Sequence, residues 1–229
     1  MSILTNFTYF GVVITLVAFL LGDWLKKKTG LAICNPLLIA SILVIAFLVV
    51  AGIDYADYEE GAKYISYLLT PATVCLAIPL YKQLSLLKEH GTAIIIALLS
   101  GCAASMAGVL LMSMLFGLSH EEYVTLLPKS ITTAIGMGIS EELDGIVTIT
   151  VAVIIITGIL GNVIASAVCK IFRITDPIAT GLAIGTASHA IGTARAMELG
   201  EIEGAMSSLS IAAAGIITAC TASAFAMLW

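Results

Sequence analysis

Charge is scarce in this chain: only 11% of its 229 residues are Asp, Glu, Lys or Arg. An ordinary soluble domain carries roughly 25%, so a conventional water-facing surface is excluded. The formal net charge of −5 leaves no basic footprint for nucleic acid. Cys34, Cys75, Cys102, Cys169 and Cys220 are odd in number and form no C-x-x-C pair, which argues against a disulfide framework or zinc site. They read as small core residues. His90, His120 and His189 lie far apart in sequence, so no metal is expected. No Gly-rich nucleotide loop follows a strand pattern, so no cofactor is expected either. Ser188 and His189 cannot pair as nucleophile and base, because adjacent helical side chains do not face each other. No catalytic residue is assigned, and an enzyme is not expected.

What the chain has instead is apolar length. Hydrophobic residues make up 60% of it, with a mean hydropathy of +1.10, more than one core of this size can hide. About 20 apolar residues cross a bilayer as a helix. Uncharged runs cover Ser2–Gly22, Leu31–Ile53, Tyr64–Tyr81, Gly91–Leu118, Gly145–Cys169 and Gly204–Trp229. Pro177–Ala194 is interrupted by His189, and Tyr123–Ser140 is shorter and contains Lys129. The first run lacks a basic leader and a small-residue cleavage site, so it is expected to be a retained helix. The fold expected is all-α, one polytopic membrane domain over residues 1–229.

Lys and Arg favour cytoplasmic loops. Lys26–Lys28, Lys82 with Lys88, and Lys170 with Arg173 mark three such loops, while residues 54–60, 121–122, 141–144 and 198–203 are acidic. The two sets alternate if residues 123–144 enter and leave on one outer side. This predicts seven crossings plus a re-entrant segment, with the N-terminus out and the C-terminus in; eight crossings are the alternative. Lys129 and Arg195 are left at or near membrane depth.

Three segments carry chemistry. In Tyr64–Tyr81, Pro71 and Pro79 flank Thr73. Each proline removes a backbone donor, giving either a kink or the broken helix on which transporters build sites. The second segment, LLPKSITTAI, places Pro128 before Lys129, Ser130, Thr132 and Thr133. Free N–H groups at a helix start, hydroxyls and an ammonium suit an anion, although such a lysine also snorkels to headgroups. In the third, GLAIGTASHAIGTARA, a helical drawing puts Gly181, Gly185, Ser188 and Gly192 on one small face. Thr186, His189 and Thr193 form a polar stripe beside it, and Arg195 lies beyond. Ionisable residues at depth mark pathways or sites; the alternatives are an interhelical hydrogen bond for His189 and an interfacial anchor beside Glu198 for Arg195. The expectation is one anion cavity shared by the second and third segments, beside the proline break. Inverted repeats are a further expectation, although the short P-x-[ST]-[VI]-x-x-A-I match of residues 71–78 to 128–135 disagrees with the pairing the charge map implies.

LTPATVCLAIPLYK, LLPKSITTAI, GLAIGTASHAIGTARA and ELGEIEGAMSSLS together resemble the LrgB/CidB family of bacterial membrane proteins over essentially the whole chain. Many members carry a proline where this chain has Ala134. The resemblance implies one of two roles in the bacterial cytoplasmic membrane. One is a carrier or channel for small monocarboxylates such as glycolate, glycerate or pyruvate. The other is an antiholin-like modulator of autolysis working with an LrgA/CidA-type holin-like partner. A homo-oligomer is expected in either case.

Overall fold

The computed structural model describes residues 7–30 and 34–229, and the chain forms two compact units, Met1–Cys75 and Leu76–Trp229. The described residues are helical and contain no strand. Four stretches among them are long and apolar enough to cross a membrane: Tyr55–Lys82, Gly91–Phe116, Val147–Ile171 and Glu201–Ala226.

In the first unit, α1 (Phe10–Thr29) and α2 (Pro36–Ala51) run antiparallel around Ala18, Ala40 and Val44. Asn35 accepts from the backbone N–H groups of Leu37 and Leu38, and Pro36 sits where no partner is needed. The starts of the two runs expected from sequence, residues 2–6 and 31–33, lie outside the described residues. α3 (Tyr55–Ser66) crosses α1 where Gly11 meets Gly61, an approach that a methyl group on either residue would block. α4 (Leu69–Cys75) and, in the second unit, α5 (Ala77–Lys82) continue the chain.

The regular helical hydrogen-bond pattern is interrupted at Tyr67–Leu68 and at Leu76. Each interruption lies three or four residues before a proline, where the ring removes a hydrogen bond and crowds the carbonyl. Tyr67 and Leu76 keep right-handed helical backbone angles, so these interruptions are those of a kink as much as of a broken helix. Thr73 has its backbone in α4, and its side chain falls outside what the structure describes.

The second unit continues with α6 (Leu84–Glu89), α7 (Gly91–Phe116), α8 (His120–Leu126), α9 (Thr133–Glu142), α10 (Val147–Ile171), α11 (Pro177–Leu199) and α12 (Glu201–Ala226). At 1.5 Å per residue, α8 and α9 reach only about 10 and 15 Å, against the ~30 Å of a bilayer core. They form a hairpin whose two arms meet at one level: Thr150 Oγ1 lies 2.8 Å from the Thr125 carbonyl and 2.7 Å from Ser140 Oγ. This is the re-entrant segment expected from the charges.

α11 departs from expectation. Ser188 (φ −136°, ψ 17°) and His189 (φ 44°, ψ −141°) are not helical, and the chain reverses there. Ile184 and Ala196 share one cluster with Ala165, although twelve residues of straight helix would separate them by about 18 Å. Gly185 and Thr193 both contact Ser207, and Gly181 and Met197 meet the adjacent Glu203 and Gly204. Residues 177–187 run in, and 190–199 return to the same end.

Two expectations are corrected by that reversal. Pro177–Ala194 does not cross, so α12 starts at the end where α10 finishes and travels to the other. Accordingly Trp229 Nε1 donates to the Leu118 carbonyl at 3.0 Å, and Tyr123 Oη to that of Phe225 at 2.8 Å. The loop after α7 and the C-terminus thus share an end, where the charge map had put them on opposite sides. The second unit has three helices long and apolar enough to span a membrane and two shorter hairpins between them. α7 with the α8–α9 hairpin and α10 with the α11 hairpin are the same motif pointing in opposite directions. This pairing replaces the one the charge map implies, in which the Tyr64–Tyr81 and 177–198 segments are the inverted counterparts.

Candidate functional site

The two hairpin tips meet near mid-depth. Ser105, halfway along α7, donates to Ser130 Oγ at 2.9 Å, and Thr186 packs on Gly101 one turn earlier. Lys129 Nζ donates to Ser130 Oγ at 2.9 Å and lies 3.4 Å from Ser105 Oγ. Among the described residues no carboxylate pairs with Lys129. The two long helices α7 and α10 contain neither Asp nor Glu.

Beside these groups lies a groove of about 660 Å³, lined by Lys129, Ser130, Ser100, Ser105 and Thr186 together with Gly101 and an apolar wall. The wall comprises Ala97, Ala104, Ala179, Leu182, Ala183 and Ala187. One ammonium and several hydroxyls at one end, with small apolar residues beyond, can hold a small monoanion. A cation lacking its own counter-ion makes short, strong bonds to such a group. Thr132 and Thr133, half-buried, stand at the start of α9, whose free N–H groups add a favourable dipole at the tip.

The two expected segments therefore meet, but through Thr186 and Ala187. Ser188, His189 and Thr193 are buried and committed elsewhere. The Ser188 hydroxyl donates to the Ile184 carbonyl (2.8 Å), and the Thr193 hydroxyl lies 2.7 Å from Ser207 Oγ. His189 Nε2 lies 3.1 Å from the Ile154 carbonyl; a carbonyl only accepts, so that nitrogen carries the proton. Gly158 leaves room for the His189 ring, and Gly161 for Ser188. These residues build the turn that delivers Thr186.

Arg195 is not at the junction. It bonds Glu198 at 2.6 Å and Ser166 at 3.0 and 3.2 Å, near the end where α10 finishes, the Glu198 pairing of the alternative reading. Pro79 lines a separate cavity of about 200 Å³ with Lys82, Met197, Gly200 and Glu201, which shares no lining residue with the Lys129 groove. Pro71 belongs to the other unit. Ser105 and Ser100 were missed in the sequence because single hydroxyls in an apolar helix carry no pattern; the G-x-x-x-S spacing of Gly101 and Ser105 is the one available signal.

Comparison with known proteins gives a consistent relationship. Residues 15–228 match the model of the LrgB-like family. The chain is 38% identical over 221 residues to a Bacillus subtilis (strain 168) protein named antiholin-like protein LrgB, covering 96% of each. It is 39% identical over 211 residues to proteins of the same name from Bacillus mycoides (strain KBAB4) and Bacillus cereus (strain B4264), covering 92% of each chain. No solved structure matches.

Proposed function

The chain belongs to the LrgB-like family, and from that premise we propose that it is a multi-pass carrier of small monocarboxylates in the bacterial cell membrane. The observation that carries the proposal is Lys129: an ammonium with no carboxylate partner among the described residues, held by two hydroxyls where oppositely directed hairpins meet on a groove. Lys129 is half-buried, and a partly desolvated charge without a counter-ion is favoured to take an anionic partner during the working cycle. One positive charge suits one negative charge. Irregular backbone at membrane depth is tolerated where it lines a site, and paired discontinuous helices near midplane are a recurring transporter arrangement.

The purified protein in liposomes should take up labelled pyruvate, glycolate or glycerate saturably, and Lys129→Gln should stop it. No flux above protein-free liposomes for any of the three would overturn the proposal.

A second reading, an antiholin-like regulator of autolysis acting with a holin-like partner, is favoured by the names its relatives carry. If that is the whole role, Lys129→Gln should complement an autolysis defect as well as the unaltered protein. If regulation depends on carriage, it should not. A second copy of the chain and the holin-like protein remain the proposed partners.

A further inference from the structure

The two inverted motifs of the second unit are folded alike but are not equally closed. Where α7 faces the second hairpin, a groove of about 660 Å³ runs from Lys129 and Ala187 at the junction to Ala97 and Ala179. Those last two residues lie close to the N-terminal ends of α7 and α11, so the junction is open towards that end. The counterpart interface is α10 against the first hairpin, and it is shut. Thr150 of α10 reaches both arms of that hairpin, 2.8 Å to the Thr125 carbonyl and 2.7 Å to Ser140 Oγ. The Ile146 N–H donates to Thr125 Oγ1 at 2.8 Å. Thr125, Ser140 and Thr150 are all buried. None of the three lines the groove or touches Lys129.

We infer that Thr125, Ser140 and Thr150 form the closed gate of a two-state device. In its other state the motifs exchange conformations: the α7 groove closes and an equivalent groove opens between α10 and the first hairpin. Inverted motifs make this exchange physically reasonable, because each can adopt the geometry the other already has, and packed interfaces of this kind switch between discrete arrangements. A buried hydroxyl cluster is a suitable latch. Its bonds hold well while made, and a few hydroxyls are few enough to break within a transport cycle. The inference rests on the carrier reading but is tested without measuring flux.

Ala104 lines the open groove and serves as reporter. With the five native cysteines replaced, Ala104→Cys should react with an impermeant maleimide from the side where α10 ends, and slowly from the side of Asp144. Adding Thr150→Val keeps the side-chain volume and deletes the hydroxyl. Labelling from the Asp144 side should then rise several-fold while labelling from the first side falls, and Thr150→Ser should restore the original pattern. Ser140→Ala should shift labelling in the same direction, and it serves where the valine variant does not fold. A folded Thr150→Val or Ser140→Ala protein whose Ala104→Cys site still labels from the first side alone, at the unaltered rate, would overturn the gate. A shifted pattern with no carboxylate flux in any variant would keep the gate and remove the carrier reading.

Discussion

Lys129 and Arg195 look alike in the sequence, two basic residues left over once the loops are assigned, and the structure separates them. Arg195 has a carboxylate at 2.6 Å and Ser166 beside it, while Lys129 has only hydroxyls. The expected consequences differ accordingly. A hydrogen bond to a charged group contributes about 1.5–3 kcal/mol, so Lys129→Gln should weaken carboxylate binding roughly tenfold to a hundredfold or more. That is measurable by isothermal titration in detergent, with the thermal midpoint little changed. Arg195→Gln should leave binding within about twofold, because a half-exposed ion pair contributes about 1 kcal/mol or less and only to anchoring. Equal loss of binding in both variants would return Arg195 to the site. Lys129 was identifiable from sequence because PKS followed by two threonines is a polar, proline-started turn inside apolar surroundings. Arg195 was misplaced because its depth was inferred from a helix drawn straight.

That drawing fails at a single element. Nothing in GTASHAIGTA announces a reversal: it contains no proline, and its glycines at 185 and 192 also suit a straight helix packed closely against a neighbour. The turn falls at Ser188 and His189, and His189 adopts a left-handed φ of 44°. A non-glycine residue in such a region costs about 1–3 kcal/mol and persists only where its surroundings hold it. Here the ring is held by the Ile154 carbonyl in the space Gly158 leaves, and Asn162 Nδ2 donates to the Ile191 carbonyl at 2.7 Å. Reversals set by tertiary contacts of this kind are invisible to periodicity. Two measurements follow. Spin labels at Ile178 and Leu199 would be about 32 Å apart along a straight helix; in the hairpin their separation by pulsed electron resonance should be roughly 20 Å or less, given arms packed 8–10 Å apart. Gly158→Ala should place a methyl group against the His189 ring and lower stability by about 1–3 kcal/mol through overpacking. The outer-surface Gly138→Ala, with open space around it, should not. A separation near 32 Å would restore the crossing helix that the apolar run suggested.

At the scale of the molecule, the composition was enough to place the chain in a membrane, and the basic loops supply the expected orientation. One reversed element shifts the rest of the count. Once residues 177–199 enter and leave at one end, Arg195 joins Lys82, Lys88, Lys170 and Arg173 there, and of the six basic residues in the second unit only Lys129 lies elsewhere. The rule that basic loops stay inside then holds more cleanly than in the straight-helix map, which had to leave Arg195 unassigned. The acidic residues at 198–203 move to the basic end without objection, since Asp and Glu contribute little to orientation. The C-terminus moves to the opposite end, beside Leu118. The expected topology of this unit therefore has Lys88, Arg173 and Glu201 in the cytoplasm and Asp144, His120 and Trp229 outside. Cysteines introduced at Asp144 and Leu228 should both react with an impermeant reagent in intact cells, and one at Glu201 should react only after permeabilisation. The Leu228 site decides between the two maps, because a crossing at 177–194 puts it inside and a hairpin puts it outside. Labelling at Glu201 but not at Leu228 in intact cells would overturn the hairpin topology.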